Sequence, residues 1–452
     1  MQAGQGYEEQ EAAWRSRVAK VLKDADFETL CSQTLEGFAL QPLYRAVEVE
    51  TARSTRQRPD LPWKIFQRLD HPEPLAAADL ALADLAGGAT GLEICFDGAP
   101  AAYGFGIAAR DLAEALRPVE LDRISLALAL PDGDEAACVE AVLAVMANQR
   151  LTPDLVHISF GLNPLAANAN LAQKLLACGF GGPIWRADGR VHHNAGASAA
   201  QELAAVLSTS VAALRCLETL GESLENASDL ISLHLSADAD EFIGVAKFRA
   251  LRQLWGEVAA ACNMPAQQPL IGAETSLRMV TRQDAATNLL RNMLGAFSAA
   301  IGGADSISIL PHTIAVGLGD AMSRRTARNL QILLLEESHL AAVADPAAGS
   351  GAFESITASL VGEAWALFQE LEAQGGIVAA MGSGAWQAEL ANTRAARLAA
   401  IESGQQPILG TTRFINPDDR QPSVLLPGPR FTSPLGVYRD AQSFESESEV
   451  VA

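Results

Sequence analysis

Short apolar runs separated by helical stretches rich in Ala and Leu set the tightest limit on how this 452-residue chain folds. The runs are "GLEICFDG" (91–98), "ISLALAL" (124–130), "LVHISFG" (155–161), "PIWRADG" (183–189), "LISLHLS" (230–236), "PLIGAET" (269–275) and "SISILP" (306–311), with a further candidate at "IVAAMGS" (377–383). Helical stretches over 134–148, 198–219, 240–262, 281–300 and 320–338 lie between them. Short runs that are apolar on both faces suit parallel strands covered by helices. Seven or eight such units over about 310 residues predict an α/β fold, a closed (β/α)8 TIM barrel. No G-x-G-x-x-G follows the first run, which weighs against a doubly wound open sheet.

Two flanks differ in texture. Residues 1–60 read as a helix (8–23) followed by an irregular arm, with five arginines between Arg45 and Arg68. The barrel is expected over 61–403. Residues 404–452 are rich in Pro, Gly, Ser and Asp and read as an extended segment, disordered at its acidic end. No apolar run reaches membrane-spanning length, and the polar start "MQAGQGYEEQEAAW" lacks the regions of a signal peptide, so a cytoplasmic location is expected. A formal charge of −21 disfavours nucleic acid as a partner. The six cysteines have no C-x-x-C spacing, which argues against a zinc site and a disulfide framework. Cys95 and Cys262 read as buried small apolar residues.

Barrel enzymes carry their chemistry at the C-terminal ends of strands. There this chain places Asp97, Asn163, Arg190, His192, His193, Asp238, Asp240, Glu274, Arg278 and His312. The adjacent histidines of "DGRVHHNAGASAAQEL" draw attention first. Neighbours on a strand point to opposite faces, so the pair does not readily share one metal ion. The plainer reading is a loop capping the next helix, with Ser198 and Gln201 as a capping box. Asp238 and Asp240 read as the start of a helix, Thr281 with Asp284 as another cap, and Arg278, Arg282 and Arg291 as surface arginines or phosphate contacts.

At "AETSLRMVTRQDAATNLLRN", "RRTARNLQILLLEESHLAAVADPAAGS", "AIESGQQPILGTTRF", "VAKFRALRQLW" and "DLPWKIFQRLDHPEPLAAADLALADLAGGATGLEICFDG" the chain resembles the methylmalonyl-CoA mutase family of adenosylcobalamin-dependent acyl-CoA mutases. The resemblance runs in one register from residue 28 to 414. It implies a barrel whose hollow core takes the pantetheine arm of CoA and whose active site faces a separate cobalamin-binding domain. The family's cobalt-ligating D-x-H-x-x-G is not found in this sequence.

Catalytic members of that family read Tyr-His-Met-Gln-Glu-Ala-Gly-Ala where this chain reads "RVHHNAGA". The family's Tyr falls on Arg190 and its catalytic His on Val191. A further pocket arginine falls on Leu230, and the His and Gln of a His-Thr-Gln-Ser segment fall on Gly303 and Asp305. No Lys or Arg lies between Leu151 and Gln173, where the family's carboxylate-binding arginine belongs. A substrate carboxylate needs a fixed cation and a thioester carbonyl needs a positioned donor, and valine supplies neither.

The resemblance is therefore closest to the small (beta), non-catalytic subunit of a heteromeric mutase. It implies that this chain holds no cofactor or metal itself. A large (alpha) subunit would bind adenosylcobalamin and convert (R)-methylmalonyl-CoA to succinyl-CoA, as a heterodimer with this chain and with a mutase chaperone GTPase as a further partner. The barrel interior is then expected to be filled by side chains from "LEICF" and "ISLALAL". The alternative is an active barrel that works with a separate small cobalamin-binding chain. His192, His193 and Arg278 would then be the groups to test, and an open channel ending at His192 or His193 would favour it.

Overall fold

The computed structural model describes residues 2–47 and 56–445. Eight parallel strands form one sheet: β1 (Lys64–Leu69), β2 (Gly91–Cys95), β3 (Ser125–Ala129), β4 (His157–Ser159), β5 (Trp185–Asp188), β6 (Ile231–Ala237), β7 (Leu270–Thr275) and β8 (Ser306–Ser308). The order around the sheet is β4-β3-β2-β1-β8-β7-β6-β5. A parallel bridge between Leu162 and Trp185, flanked by the Leu162 N–H to Ile184 carbonyl bond of 3.0 Å, joins β5 to the end of β4 and closes the barrel. Helices follow the strands and cover the outside, so the expected (β/α)8 architecture is present.

Two expectations about elements are corrected. The eighth strand is β1, within "PWKIFQRLD", and residues 377–383 belong to a helix, Gly376–Ser383. β1 escapes a search for apolar runs because its inward face carries Lys64, Phe66 and Arg68, while Ile65, Gln67 and Leu69 face the helices. The stretch 377–383 is apolar but made of small residues between Gly375 and Gly384, both at positive φ, which bound one short helix. The helix expected from Thr281 begins instead at Asn288 and runs to Gly302. Asp284 adopts a left-handed conformation (φ 48°), and the Thr281 N–H bonds to the Asn288 side chain at 3.0 Å.

The capping box expected at Ser198 is present. Its hydroxyl accepts from the Gln201 N–H and the Gln201 amide oxygen accepts from the Ser198 N–H, opening the helix Ala199–Thr219. Asp240 likewise caps Glu241–Ala261 by accepting from the Ile243 N–H. Cys95 is fully buried, and Cys262 is half-buried at a helix end. The main apolar core lies between strands and helices, where Leu92, Ile94, Leu126 and Leu128 pack. A second apolar cluster caps the C-terminal rim around Tyr103, Phe105, Leu277, Val280 and Leu318.

The flanks are ordered within the described residues. The N-terminal helix Gln2–Leu22 packs on the arm, through Trp14 against Phe27 and the Arg45–Glu11 ion pair. At the other end, Val424–Pro427 pairs antiparallel with Gly317–Gly319, and the chain then crosses the C-terminal rim. The acidic terminus expected to be disordered lies outside the described residues. Among the described residues, no helix is long and apolar enough to cross a membrane.

Candidate functional site

The barrel interior is polar, contrary to the expectation that "LEICF" and "ISLALAL" fill it. In a strand that alternates faces, Leu92, Ile94, Leu126 and Leu128 go to the helices, which leaves Glu93, Ser125 and Ala127 for the inside. The lower half of the barrel is a cavity of about 580 Å³ opening at the N-terminal ends of the strands. Small side chains such as Ser125, Ala127, Ser159 and Ser308 line it, with Arg58, Lys64 and His157 at its mouth. Glycine is required at position 272, where a Cβ would collide with the His234 imidazole on the neighbouring strand.

A layer of buried charges closes the cavity above. Arg190 is bidentate to Asp188 (Nε–Oδ1 3.0 Å, Nη2–Oδ2 2.8 Å) and donates from Nη1 to Glu93 Oε1 at 3.0 Å. Arg68 donates to Glu274 Oε2 at 2.9 Å and to Asp70 at 2.9 Å, and Tyr103 donates its hydroxyl proton to Glu274 Oε1 at 2.6 Å. Arg186 lies 3.6 Å from Glu93. These groups come from β1, β2, β5, β7 and the loops after β1, β2 and β5, so the layer ties opposite walls of the barrel together. Burial raises Glu93, but the guanidinium groups of Arg190, Arg186 and Arg68 outweigh it and bring its pKa down to about 2. Glu274 is held above the ordinary carboxylate range by burial, against the pull of Arg190 and Arg68 and with the Glu93 charge adding to the rise.

The residues singled out in the sequence fall into two groups. Arg190, Val191, His192 and His193 sit on a short helix, Arg190–Asn194, at the C-terminal end of β5. Leu230, Gly303 and Asp305 lie at the opposite, N-terminal end. Leu230 immediately precedes β6, Gly303 ends a helix at φ 93°, and Asp305 accepts from Arg252 Nη2 (2.6 Å) and the Gln57 N–H (2.6 Å). The barrel therefore does not bring the five replaced positions into one site.

His192 and His193 serve different neighbours. His192 Nδ1 accepts from the Trp386 indole N–H at 3.1 Å, and burial lowers its pKa to about 4, so the ring is neutral. His193 bridges Ser276 Oγ (2.7 Å) and Glu202 Oε2 (3.2 Å). Burial and the nearby Arg278 and Lys247 drive its pKa well below the usual range. Arg278 is not a surface arginine: it is buried, donates to the carbonyls of His193 (3.0 Å) and Ala197 (2.8 Å), and pairs with Asp238. His312 is half-buried after β8. Arg190, Val191 and His192 border a second, smaller cavity of about 130 Å³ above the charged layer, roofed by Ser433–Val437. The lower channel thus ends at Arg190, Glu93, Glu274 and His234, short of the two histidines.

The charged layer is only partly legible in the sequence. Its signal is a charge placed inside a strand among apolar neighbours: Glu93 in "LEICF", Arg186 beside Trp185 in "PIWRAD", and, less plainly, Arg68 in "KIFQRL". Such a charge faces a polar interior or finds a partner, because an unpaired buried ion is prohibitive.

The family model described as methylmalonyl-CoA mutase matches residues 186–429. The chain is 35% identical over 436 residues to a methylmalonyl-CoA mutase small subunit from Streptomyces virginiae, covering 88% of this chain and 69% of that protein. It is 30% identical to the corresponding small subunit from Propionibacterium freudenreichii subsp. shermanii, over 89% of this chain and 68% of the relative. The chain belongs to the methylmalonyl-CoA mutase family. Another relative, a methylmalonyl-CoA mutase from Escherichia coli (strain K12), is 25% identical over 89% of this chain and 63% of its own length. In this mutase-family barrel, Arg190 is spent on Asp188 and Glu93. Val191 beside it offers the small cavity no side-chain donor.

Proposed function

We propose that this chain is the small, non-catalytic subunit of a heteromeric methylmalonyl-CoA mutase. Its partner is a large subunit that binds adenosylcobalamin and isomerises (R)-methylmalonyl-CoA to succinyl-CoA by a radical rearrangement. The observation that carries this reading is the charged layer across the barrel axis. Arg190, Glu93, Glu274 and Arg68 occupy the place where an acyl group would have to pass from the lower cavity to the C-terminal face. Two relatives described as small subunits support the partnership. The residues at the C-terminal face do not fit a corrin-facing active site, since Val191 offers no donor and Ser433–Val437 covers the cavity beside it. No chemical step is assigned to this barrel. Location in the cytoplasm and a contact with a mutase chaperone GTPase belong to the same proposal.

One observation favours the alternative of an active barrel served by a separate cobalamin-binding chain. The lower cavity keeps small lining residues and a basic mouth, as a channel for an acyl-CoA arm would. It is blind, however. Co-expression with a large mutase subunit separates the two readings. The proposal expects a stable complex whose turnover depends on the large subunit and no turnover by this chain supplied with adenosylcobalamin and a small cobalamin-binding protein. Turnover by that second mixture would establish the alternative.

A further inference from the structure

The C-terminal segment of the described chain lies across the C-terminal mouth of the barrel. Its burial alternates: Phe431, Ser433, Leu435 and Val437 are half-buried, while Thr432, Pro434 and Gly436 are exposed. This is an extended strap with one face on the barrel. It is pinned at three places. The Arg430 N–H bonds to the Tyr103 carbonyl (3.0 Å) in the loop after β2. The Tyr438 N–H bonds to the Asn194 carbonyl (2.8 Å) after β5. The Asp440 N–H bonds to the Arg278 carbonyl (2.9 Å) after β7. In the strand order these three loops stand three, three and two strands apart, so the anchors are spread around the whole rim.

Side chains fix the strap further. Tyr438, Arg439 and Ala441 are buried, and Arg439 is held between the Val280 carbonyl (3.1 Å) and Glu445 (2.6 Å). The barrel is shaped to receive it: Gly104, at φ 85°, sits directly beneath Arg430, where any side chain would collide. Phe431 packs edge-on to Tyr103, whose hydroxyl belongs to the charged layer. The strap and the layer are thus one construction that closes the barrel at its C-terminal end.

We infer that the strap bars a cobalamin-binding domain from this barrel, so that the cofactor domain of the complex is left to the other barrel alone. This rests on the reading that the chain pairs with a cobalamin-binding large subunit. Two similar barrels in one complex would otherwise present two similar faces to one domain, and specificity between like surfaces requires an obstacle on the wrong one. A protein interface needs roughly 1,000 Å² of well-fitted surface. A strap anchored on three sides of the rim denies that area where the family's domain would dock.

The test uses the full chain in complex with an adenosylcobalamin-loaded large mutase subunit. Amide exchange is followed at Arg430, Tyr438 and Asp440, and Asp132 on the exposed rim is replaced by the photo-crosslinker p-benzoylphenylalanine. The three amides are expected to be slowed about a hundredfold or more, and to stay so in the complex, with no cross-link from residue 132 to the cobalamin domain. Ala441→Asp, which puts a carboxylate on the buried side of the strap, should release the three amides, leave the amides of Ile94 and Leu128 protected, and allow that cross-link. Release of the strap on binding, a cross-link with the strap intact, or no cross-link once it is released would each overturn the inference. Failure of the two chains to associate at all would instead remove the subunit reading on which it stands.

Discussion

At the scale of single residues, Arg190 is committed to buried ion pairs. Its guanidinium is fully engaged with Asp188, Glu93 and Glu274, and it is 2% exposed. Removing one member of such a buried set strands the opposite charge, which costs about 3–5 kcal/mol. Arg190→Ala and Glu93→Ala should therefore each lower the unfolding free energy by about that amount in chemical denaturation, and Glu93→Gln by less. Loss of below about 1 kcal/mol for either alanine variant would mean that the layer is not a paired, water-free cluster.

The buried histidines give a second consequence. His192 is held neutral with a pKa of about 4, below the ordinary 6.5, and His193 and His234 are shifted the same way by burial. Between the folded and unfolded values, the unfolded chain binds more protons. Stability is therefore present above pH 6.5 and is lost as pH falls toward 4, by about 3 kcal/mol for His192 alone. Asp240 acts in the opposite sense: burial and Asp238 raise it to about 6, so its contribution is lost as pH rises through that value. Among the described residues His157 and His312 are also shifted down, and Glu274, Asp345 and Asp440 are also shifted up, so the His192 contribution is read as its share of the slope of unfolding free energy against pH between 7 and 4. His192→Gln keeps an acceptor for Trp386 and should shallow that slope.

Among elements, the helix Ala199–Thr219 depends on its start. Ser198→Ala breaks the capping box and should cost about 1 kcal/mol, readable as a lower melting temperature with unchanged far-ultraviolet dichroism at 20 °C. Seven strands were legible in the sequence because their helix-facing residues are apolar and the residues between them are mostly small, so their runs stand out. β1 was not, because Lys64 and Arg68 point into a polar interior and break the run that marks a strand. The helix 376–383 was misread for the converse reason: a short apolar stretch looks the same as strand or helix until its bounding glycines are weighed. The roles of His193 and Arg278 were illegible because Ser276 and Glu202, and the carbonyls that Arg278 holds, come from separate units of the barrel. Spacing along the chain does not register such pairings.

For the whole molecule, closure of the barrel from above follows from two features distant in sequence: charges at the centres of β1, β2, β5 and β7, and the strap at 430–445. Together they leave a cavity that opens at the N-terminal end and stops at the charged layer, short of the smaller cavity at the C-terminal face. The N-terminal helix contacts little of its own barrel among the described residues.

The most direct test of this account is the turnover of methylmalonyl-CoA by the purified complex with a large mutase subunit, carrying either unmodified chain or His192→Gln. If this barrel supports but does not react, kcat and kcat/KM with the variant should lie within about twofold of the unmodified complex. A fall of about a hundredfold in kcat, with the complex still assembled, would place His192 in a working site and contradict the account.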